Sequence, residues 1–167
     1  MIRILVNAAT VFAAIAVIVM TALPGLAQYS DTAILEIRNE KQDRIGVYDI
    51  AALEALGLHS IATETPWTEG EMQFEGVLVR DLLRQIGVKT GRILAIALND
   101  YRISIPVSDF ENFDVILATR INGSEMSVRD RGPIWLIYPW SSEPVLRDEV
   151  YFARSIWQLR MIQVQPD

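Results

Sequence analysis

Short stretches of alternating or periodic apolar residues run along most of the chain. Residues 33–38, AILEIR, alternate apolar and charged positions, which predicts a half-buried strand. Asp49 and Gly57 suit the two ends of a short helix between them, and the apolar spacing over 79–86, closed by Gly87, predicts a second helix. Further strands are predicted at 58–65, 74–77, 93–98, 101–105, 115–121, 134–138 and 157–164.

Turn signals connect several of these strands. Asn99-Asp100 and Asn122-Gly123 each lie between two predicted strands, where they indicate β-hairpins. Ser108 is expected to cap one helical turn over Phe110 and Phe113. Because the order is not a regular alternation of strand and helix, the sequence predicts a mixed α+β fold. We expect it to be mostly β, with a curved, barrel-like sheet and short helices.

The N-terminal segment has the features of a secretory signal. Arg3 supplies a positive charge, an apolar run follows, and Pro24-Gly25 precedes the small residues of a cleavage site. We therefore predict a signal peptide at 1–27, one domain at 28–167 and a periplasmic location. The apolar run also approaches the ~20 residues of a membrane-spanning helix, so a retained anchor is the alternative. In either case the domain lies outside the cytoplasm.

The composition excludes several kinds of chemistry. The chain has no cysteine and a single histidine, so it lacks the thiolates and multiple imidazoles of most metal centres and nucleophilic triads. That histidine, His59, fits a half-buried strand residue better than a metal ligand. The net charge of −6 provides no basic surface for nucleic acid. We accordingly predict a binding protein rather than an enzyme, with no metal-anchored cofactor.

A series of short segments after residue 60 follows a recognisable order and spacing. The segments are Phe74-Glu75-Gly76-Val77 with Leu82-Leu83, Asp100-Tyr101 through Ile105-Pro106, Leu117-Ala118 with Asn122-Gly123, Gly132-Pro133 with Leu136-Ile137-Tyr138-Pro139, Ile156-Trp157 and Ile162-Gln163-Val164. Together they resemble the molybdopterin-binding domain of the sulfite oxidase family over nearly the whole predicted domain. The resemblance implies that fold and a pocket for the pterin part of a cofactor.

The chain also departs from that family. In family enzymes a cysteine ligates molybdenum in the loop before the Phe-x-Gly segment, whereas here residues 63–67 read Thr-Glu-Thr-Pro-Trp. An arginine usual after the Gly-x-Pro segment is replaced around Trp135. The chain is similar to a small exported branch, the PruR-like periplasmic pterin-binding proteins, which implies pterin binding without molybdenum. That branch implies a role as a signalling accessory to the extracytoplasmic part of an inner-membrane cyclic-di-GMP diguanylate cyclase or phosphodiesterase.

Two other functions remain open from the sequence. One is a molybdopterin-dependent oxidoreductase that holds its cofactor without a cysteine ligand. The other is an interaction module without a ligand, in which the ancestral pocket is filled by side chains. The three hypotheses differ in whether an open cleft exists and in what lines it.

A pterin needs a stacking face and polar groups along its edge. Trp67 is the first candidate for the stacking face, with the hydroxyls of Thr63 and Thr65 available beside it. A core tryptophan at the end of the sheet is the alternative role for Trp67. Asp100, beside Tyr101, could accept from the pterin amino edge, although aspartate at a turn is also common without a ligand.

Two further residues complete the predicted ligand-binding set. Trp140 lies in a predicted loop, where it could cover a pocket. Arg154 occupies the position at which family enzymes carry a basic residue near the cofactor, but it could equally pair with Asp148 or Glu149 at the surface.

Overall fold

The computed structural model describes residues 33–165, which form ten strands and four short α-helices. The strands are β1 (Leu35–Arg38), β2 (Arg44–Tyr48), β3 (Leu58–Glu64), β4 (Glu71–Leu78), β5 (Arg92–Ala97), β6 (Arg102–Pro106), β7 (Ile116–Ile121), β8 (Ser124–Glu125), β9 (Trp135–Ile137) and β10 (Leu159–Gln165). The helices are α1 (Ile50–Glu54), α2 (Val79–Gln85), α3 (Val107–Asn112) and α4 (Glu149–Arg154). Two 3-10 turns lie at Val128–Asp130 and Pro144–Leu146.

The strands form two sheets. The first has the order β2-β1-β10-β5-β6, in which β1 and β10 are parallel and the other pairs antiparallel. The second has the order β3-β4-β7-β8, and β9 also pairs with β7. The prediction of a mixed, strand-rich α+β fold is confirmed, whereas the sheets do not close into a barrel.

One apolar core joins the two sheets. Fully buried side chains come from β4 and β7 of the second sheet and from β5, β6 and β10 of the first, among them Phe74, Leu117, Ile93, Ile105 and Ile162. Each such side chain contributes roughly 1.5–3 kcal/mol when it leaves water. This core holds the strand ends and loops that surround the site described below.

Local signals account for most element boundaries, with three exceptions. Asp49 caps α1 by accepting from the amide of Ala52 at 2.7 Å. The prediction that Ser108 caps α3 is wrong, because the helix begins at Val107 and no side chain caps it. Strand β2 and helix α4 were not predicted. Neither element contains a fully buried residue, and so neither has a clear periodic pattern of apolar side chains.

The predicted signal segment at 1–27 lies outside the described residues. Within 33–165, no helix combines the length and apolarity needed to cross a membrane.

An ion pair with a bidentate geometry joins α1 to β7. Arg120 donates from Nε to Oε1 of Glu54 at 2.9 Å and from Nη2 to Oε2 at 3.0 Å. The buried Thr119 donates its hydroxyl to the same carboxylate at 2.7 Å. The hydrogen bonds from Arg120 hold the pKa of Glu54 below its ordinary value, against the opposing effect of burial.

This pair predicts a pH-dependent stability. The unfolded pKa of Glu54 is near 4.5, so a lowered folded pKa stabilises the protein above that pH and the effect disappears as the pH falls further. We expect Glu54→Gln to be less stable than wild type at about pH 7 and to approach it at about pH 3, as measured by urea unfolding. Glu40→Gln, in an exposed turn, serves as the control. An equal deficit of Glu54→Gln at both pH values would contradict this assignment.

Candidate functional site

A cleft with a volume of about 350 Å³ opens at one end of the first sheet. Its walls come from the segment after β3, the turn between β5 and β6, the C-terminal half of α4 and the segment that leads into β10. The lining residues are Trp67, Ala97, Asn99, Tyr101, Phe152, Ala153, Ser155, Ile156 and Trp157. The lining is mainly apolar and contains no charged side chain.

Trp67 is the centre of the aromatic residues around this cleft. Its ring centroid lies 5.5 Å from that of Trp157 and 6.1 Å from that of Phe152, in both cases with an edge-to-face arrangement. On its other sides it approaches Trp135 at 5.8 Å and Trp140 at 6.1 Å. All four tryptophans of the chain therefore belong to one cluster. Two of them, Trp67 and Trp157, also line the cleft.

Hydrogen bonds fix the backbone of Trp67. Its amide donates to the hydroxyl of Thr65 at 3.1 Å, and its carbonyl accepts from Nη2 of Arg131 at 3.0 Å. The Thr65 hydroxyl lies 2.8 Å from that of Thr68, so a hydrogen bond joins the two sides of the short loop after β3. Trp67 is thus held in place before any ligand arrives, which lowers the ordering cost of binding.

Tyr101 and Asn99 form the wall opposite α4. The amide of Tyr101 donates to Oδ1 of Asn99 at 3.1 Å, and the Tyr101 hydroxyl donates to the carbonyl of Ala153 at 3.2 Å. The second bond ties the β5–β6 turn to α4 across the cleft. Tyr101 remains 45% exposed, so its ring is accessible to a ligand.

Asp100 and Arg154, both predicted to bind ligand, are not among the residues that line the cleft. Asp100 adopts a left-handed conformation with φ of 63°, and its carboxylate accepts from Nη2 of Arg160 at 2.7 Å. Arg154 donates to Oδ2 of Asp109 at 2.7 Å and lies over the ring of Tyr151. Both charged groups therefore already have partners within the protein.

The other three predicted residues lie on the far side of Phe152 or in the interior. Thr65 and Trp140 line a second pocket of about 200 Å³, to which Arg147 and Phe152 also contribute. Trp140 is only 2% exposed, and its indole nitrogen has no hydrogen-bond partner among the described residues. Thr63 is fully buried and its hydroxyl accepts from the amide of Ser141 at 3.0 Å. Of the seven predicted residues, the structure brings Trp67 and Tyr101 together in the aromatic cleft.

Seven of the nine cleft residues were not among the predicted ligand-binding residues, and three of them show why. Phe152 lies on α4, which was not predicted as a helix, and Trp157 was assigned only to a strand. Asn99 was assigned only to a turn. The available signal was the number of aromatic residues near the C-terminus, but no local pattern distinguishes a cleft aromatic from a core one.

A buried network lies behind α4. The Tyr138 hydroxyl, fully buried, donates to Oδ2 of Asp109 at 2.8 Å, and this carboxylate also receives the Arg154 bond. Burial, together with the neighbouring Asp109 carboxylate, raises the pKa of Tyr138 well above its ordinary value. Tyr138 therefore keeps its proton and remains a hydrogen-bond donor at any physiological pH.

The side chains present do not provide a molybdenum anchor. The chain has no cysteine, and within residues 33–165 no group of three or more His, Asp or Glu side chains is placed to hold a metal ion. Molybdopterin also carries an anionic phosphate, for which the uncharged lining offers no cation. The cleft lining is aromatic, and it offers neither a side-chain ligand for the metal nor a cation for the phosphate of that cofactor.

The fold and the cleft together define a strand-rich α+β domain with an open cleft lined by aromatic side chains. A family model described as the oxidoreductase molybdopterin binding domain matches residues 49–165. The chain belongs to this family, and the predicted resemblance to the sulfite oxidase type of domain is confirmed at that level. No curated protein is similar enough in sequence to count as a match.

Proposed function

We propose that this chain binds a pterin, without molybdenum, in the cleft beside Trp67. The observation that carries the proposal is an open aromatic cleft of about 350 Å³ with no charged side chain, in a member of a molybdopterin-binding family that lacks the metal-ligating cysteine. An uncharged aromatic lining suits a neutral heteroaromatic ring, since stacking contributes about 0.5–1.5 kcal/mol beyond the burial of apolar area.

Neutral polar groups at the cleft match the edge of a pterin. The side-chain amide of Asn99 offers both a donor and an acceptor. The hydroxyl of Ser155 donates to the carbonyl of Tyr151 at 2.8 Å, which leaves its oxygen able to accept. In this proposal Asn99 and Ser155, and not Asp100, accept hydrogen bonds from the amino edge of the pterin.

Direct titration tests the proposal. We expect the purified protein to bind 6-methyltetrahydropterin or pterin saturably in calorimetry, with a change in tryptophan fluorescence because all four tryptophans share one cluster. Trp67→Ala should weaken binding at least about tenfold, which corresponds to ~1.4 kcal/mol. Tyr48→Ala, an aromatic truncation on β2 outside the cleft, should leave the affinity unchanged. Absence of saturable binding at high micromolar pterin would refute the proposal.

The same proposal includes a location and a partner. The features of residues 1–27 support export to the periplasm, and the resemblance to PruR-like proteins supports a role as signalling accessory to an inner-membrane cyclic-di-GMP enzyme. Signalling requires that the pterin change the affinity of the chain for that enzyme, because a ligand that binds both states equally transmits nothing. The titration repeated with the purified extracytoplasmic part of such an enzyme measures this change.

A further inference from the structure

Strand β3 is an open edge of the second sheet. In the described part of the chain it pairs with β4 on one side and with no strand on the other. The backbone of Gln73 bonds towards Asn122, away from β3, and Gln73 is the cross-strand partner of Ala62. Because backbone groups of successive residues point to opposite sides of a strand, those of Ala62 and Ser60 point outwards at the open edge.

A neighbouring contact agrees with this direction. The amide of Glu64, two residues beyond Ala62, donates outwards to the hydroxyl of Ser141 at 3.0 Å. Ser141 thereby covers the C-terminal end of the edge, while no corresponding backbone bond is made at Ser60 or Ala62 within residues 33–165. The uncovered part from Leu58 to Ala62 is about 13 Å long at ~3.3 Å per residue.

The open edge forms one wall of a groove. This groove has a volume of about 370 Å³ and runs beside residues 59–62. Its opposite wall consists of residues 112–114, at the C-terminal end of α3, together with Pro139, Ser142 and Glu143. An extended segment in the groove would therefore meet backbone donors and acceptors on one side and side chains on the other, which is the arrangement required for strand addition.

The groove carries negative charge. Glu143 makes no ion pair among the described residues, whereas Asp114, on the same wall, is already paired with Arg80 and lies 3.9 Å from Nε2 of His59. Glu64 adds another carboxylate at the end of the edge. A second copy of the chain, paired through β3, would place no Lys or Arg of that strand beside Glu143, because residues 58–64 contain none. A segment with basic side chains is favoured instead.

We propose that the groove along β3 binds an extended segment of a partner protein as an added strand, with a Lys or Arg side chain of that segment facing Glu143. This inference specifies the protein-contacting surface in the proposed function. It does not depend on pterin binding, because the groove and the cleft have no lining residue in common. Failure of one can therefore be distinguished from failure of the other.

A defined peptide tests the groove. The probe is acetyl-Val-Arg-Val-Arg-Val-amide, titrated to millimolar concentration into the purified ¹⁵N-labelled protein without pterin. We expect saturable shifts of the Ser60 and Ala62 amide resonances and slower hydrogen exchange at both, since each gains a backbone partner. Glu143→Lys should weaken binding at least fivefold, while Glu40→Lys, in the turn between β1 and β2, should not change it.

Three results would overturn the inference. One is the absence of saturable shifts at the β3 amides. Another is that a peptide with Glu in place of Arg binds as tightly as the original peptide. Equally tight binding of a peptide N-methylated at alternate residues would have the same meaning, because that peptide cannot form the backbone hydrogen bonds of an added strand. The third is a concentration-dependent shift of the same amides without peptide, because it would assign the edge to a second copy of the chain.

Discussion

Gly76→Ala is expected to destabilise the domain strongly. Gly76 lies in β4 opposite Ala118 of β7, next to a register shift after Glu75. A Cβ atom at this position would lie 2.0 Å from the carbonyl oxygen of Leu117 and 2.6 Å from the Cα of Ala118. Both are backbone atoms of a buried strand, so no side-chain rotation can relieve the overlap and the two strands would have to separate.

The expected loss in free energy of unfolding is about 3 kcal/mol or more, at the upper end of the cost of overpacking. Urea unfolding followed by circular dichroism measures it, and insoluble expression would be the extreme form of the same result. Gly46→Ala is the matched control, because a Cβ there meets only side-chain atoms: the edge of the Tyr48 ring at 3.0 Å, which can turn aside, and Ile37 at an ordinary 3.6 Å. Similar stability of the two variants would contradict the proposed role of Gly76.

Patterns among neighbouring residues made part of the fold predictable. Alternation of apolar residues and turn signals depend on neighbours along the chain, so β1, β5, β7 and the Asn122-Gly123 hairpin were found. Edge strand β2 was missed because one side of it is open and its residues are only partly buried. Helix α4 was missed for a related reason, since it packs through half-buried aromatic side chains and not through a fully buried stripe.

The candidate site was predictable in kind but not in arrangement. The sequence indicated an aromatic site with Trp67 at its centre, and Trp67 does lie in the cleft. It did not indicate which charged groups were available, because ion pairs form between residues distant in the chain. Arg160 engages Asp100, and Asp109 engages Arg154, so the lining that remains is neutral.

The Arg154–Asp109 pair fixes α4, which forms a wall of the cleft through Phe152 and Ala153. The carboxylate of Asp109 is 8% exposed and the Arg154 side chain 18% exposed, so this pair is far less hydrated than a surface ion pair. Asp109 lies in α3 and its second donor, Tyr138, follows β9, so the network connects α4 to the core. Removal of Arg154 would leave a nearly buried carboxylate with one neutral hydrogen-bond donor.

Arg154→Met is therefore expected to lower the free energy of unfolding by about 3 kcal/mol, at the lower end of the cost of removing one partner of a buried pair. Arg160→Met breaks the exposed pair with Asp100, whose side chain is 67% exposed, and should cost less than about 1 kcal/mol. The double variant Asp109→Asn, Arg154→Met should regain part of the loss, since no charge is then left without a partner. Urea unfolding of wild type, Asp109→Asn, Arg154→Met and the double variant gives the coupling energy of the pair directly. If Arg154 instead contacts the ligand, Arg154→Met will weaken pterin binding with little loss of stability, and the double variant will regain nothing.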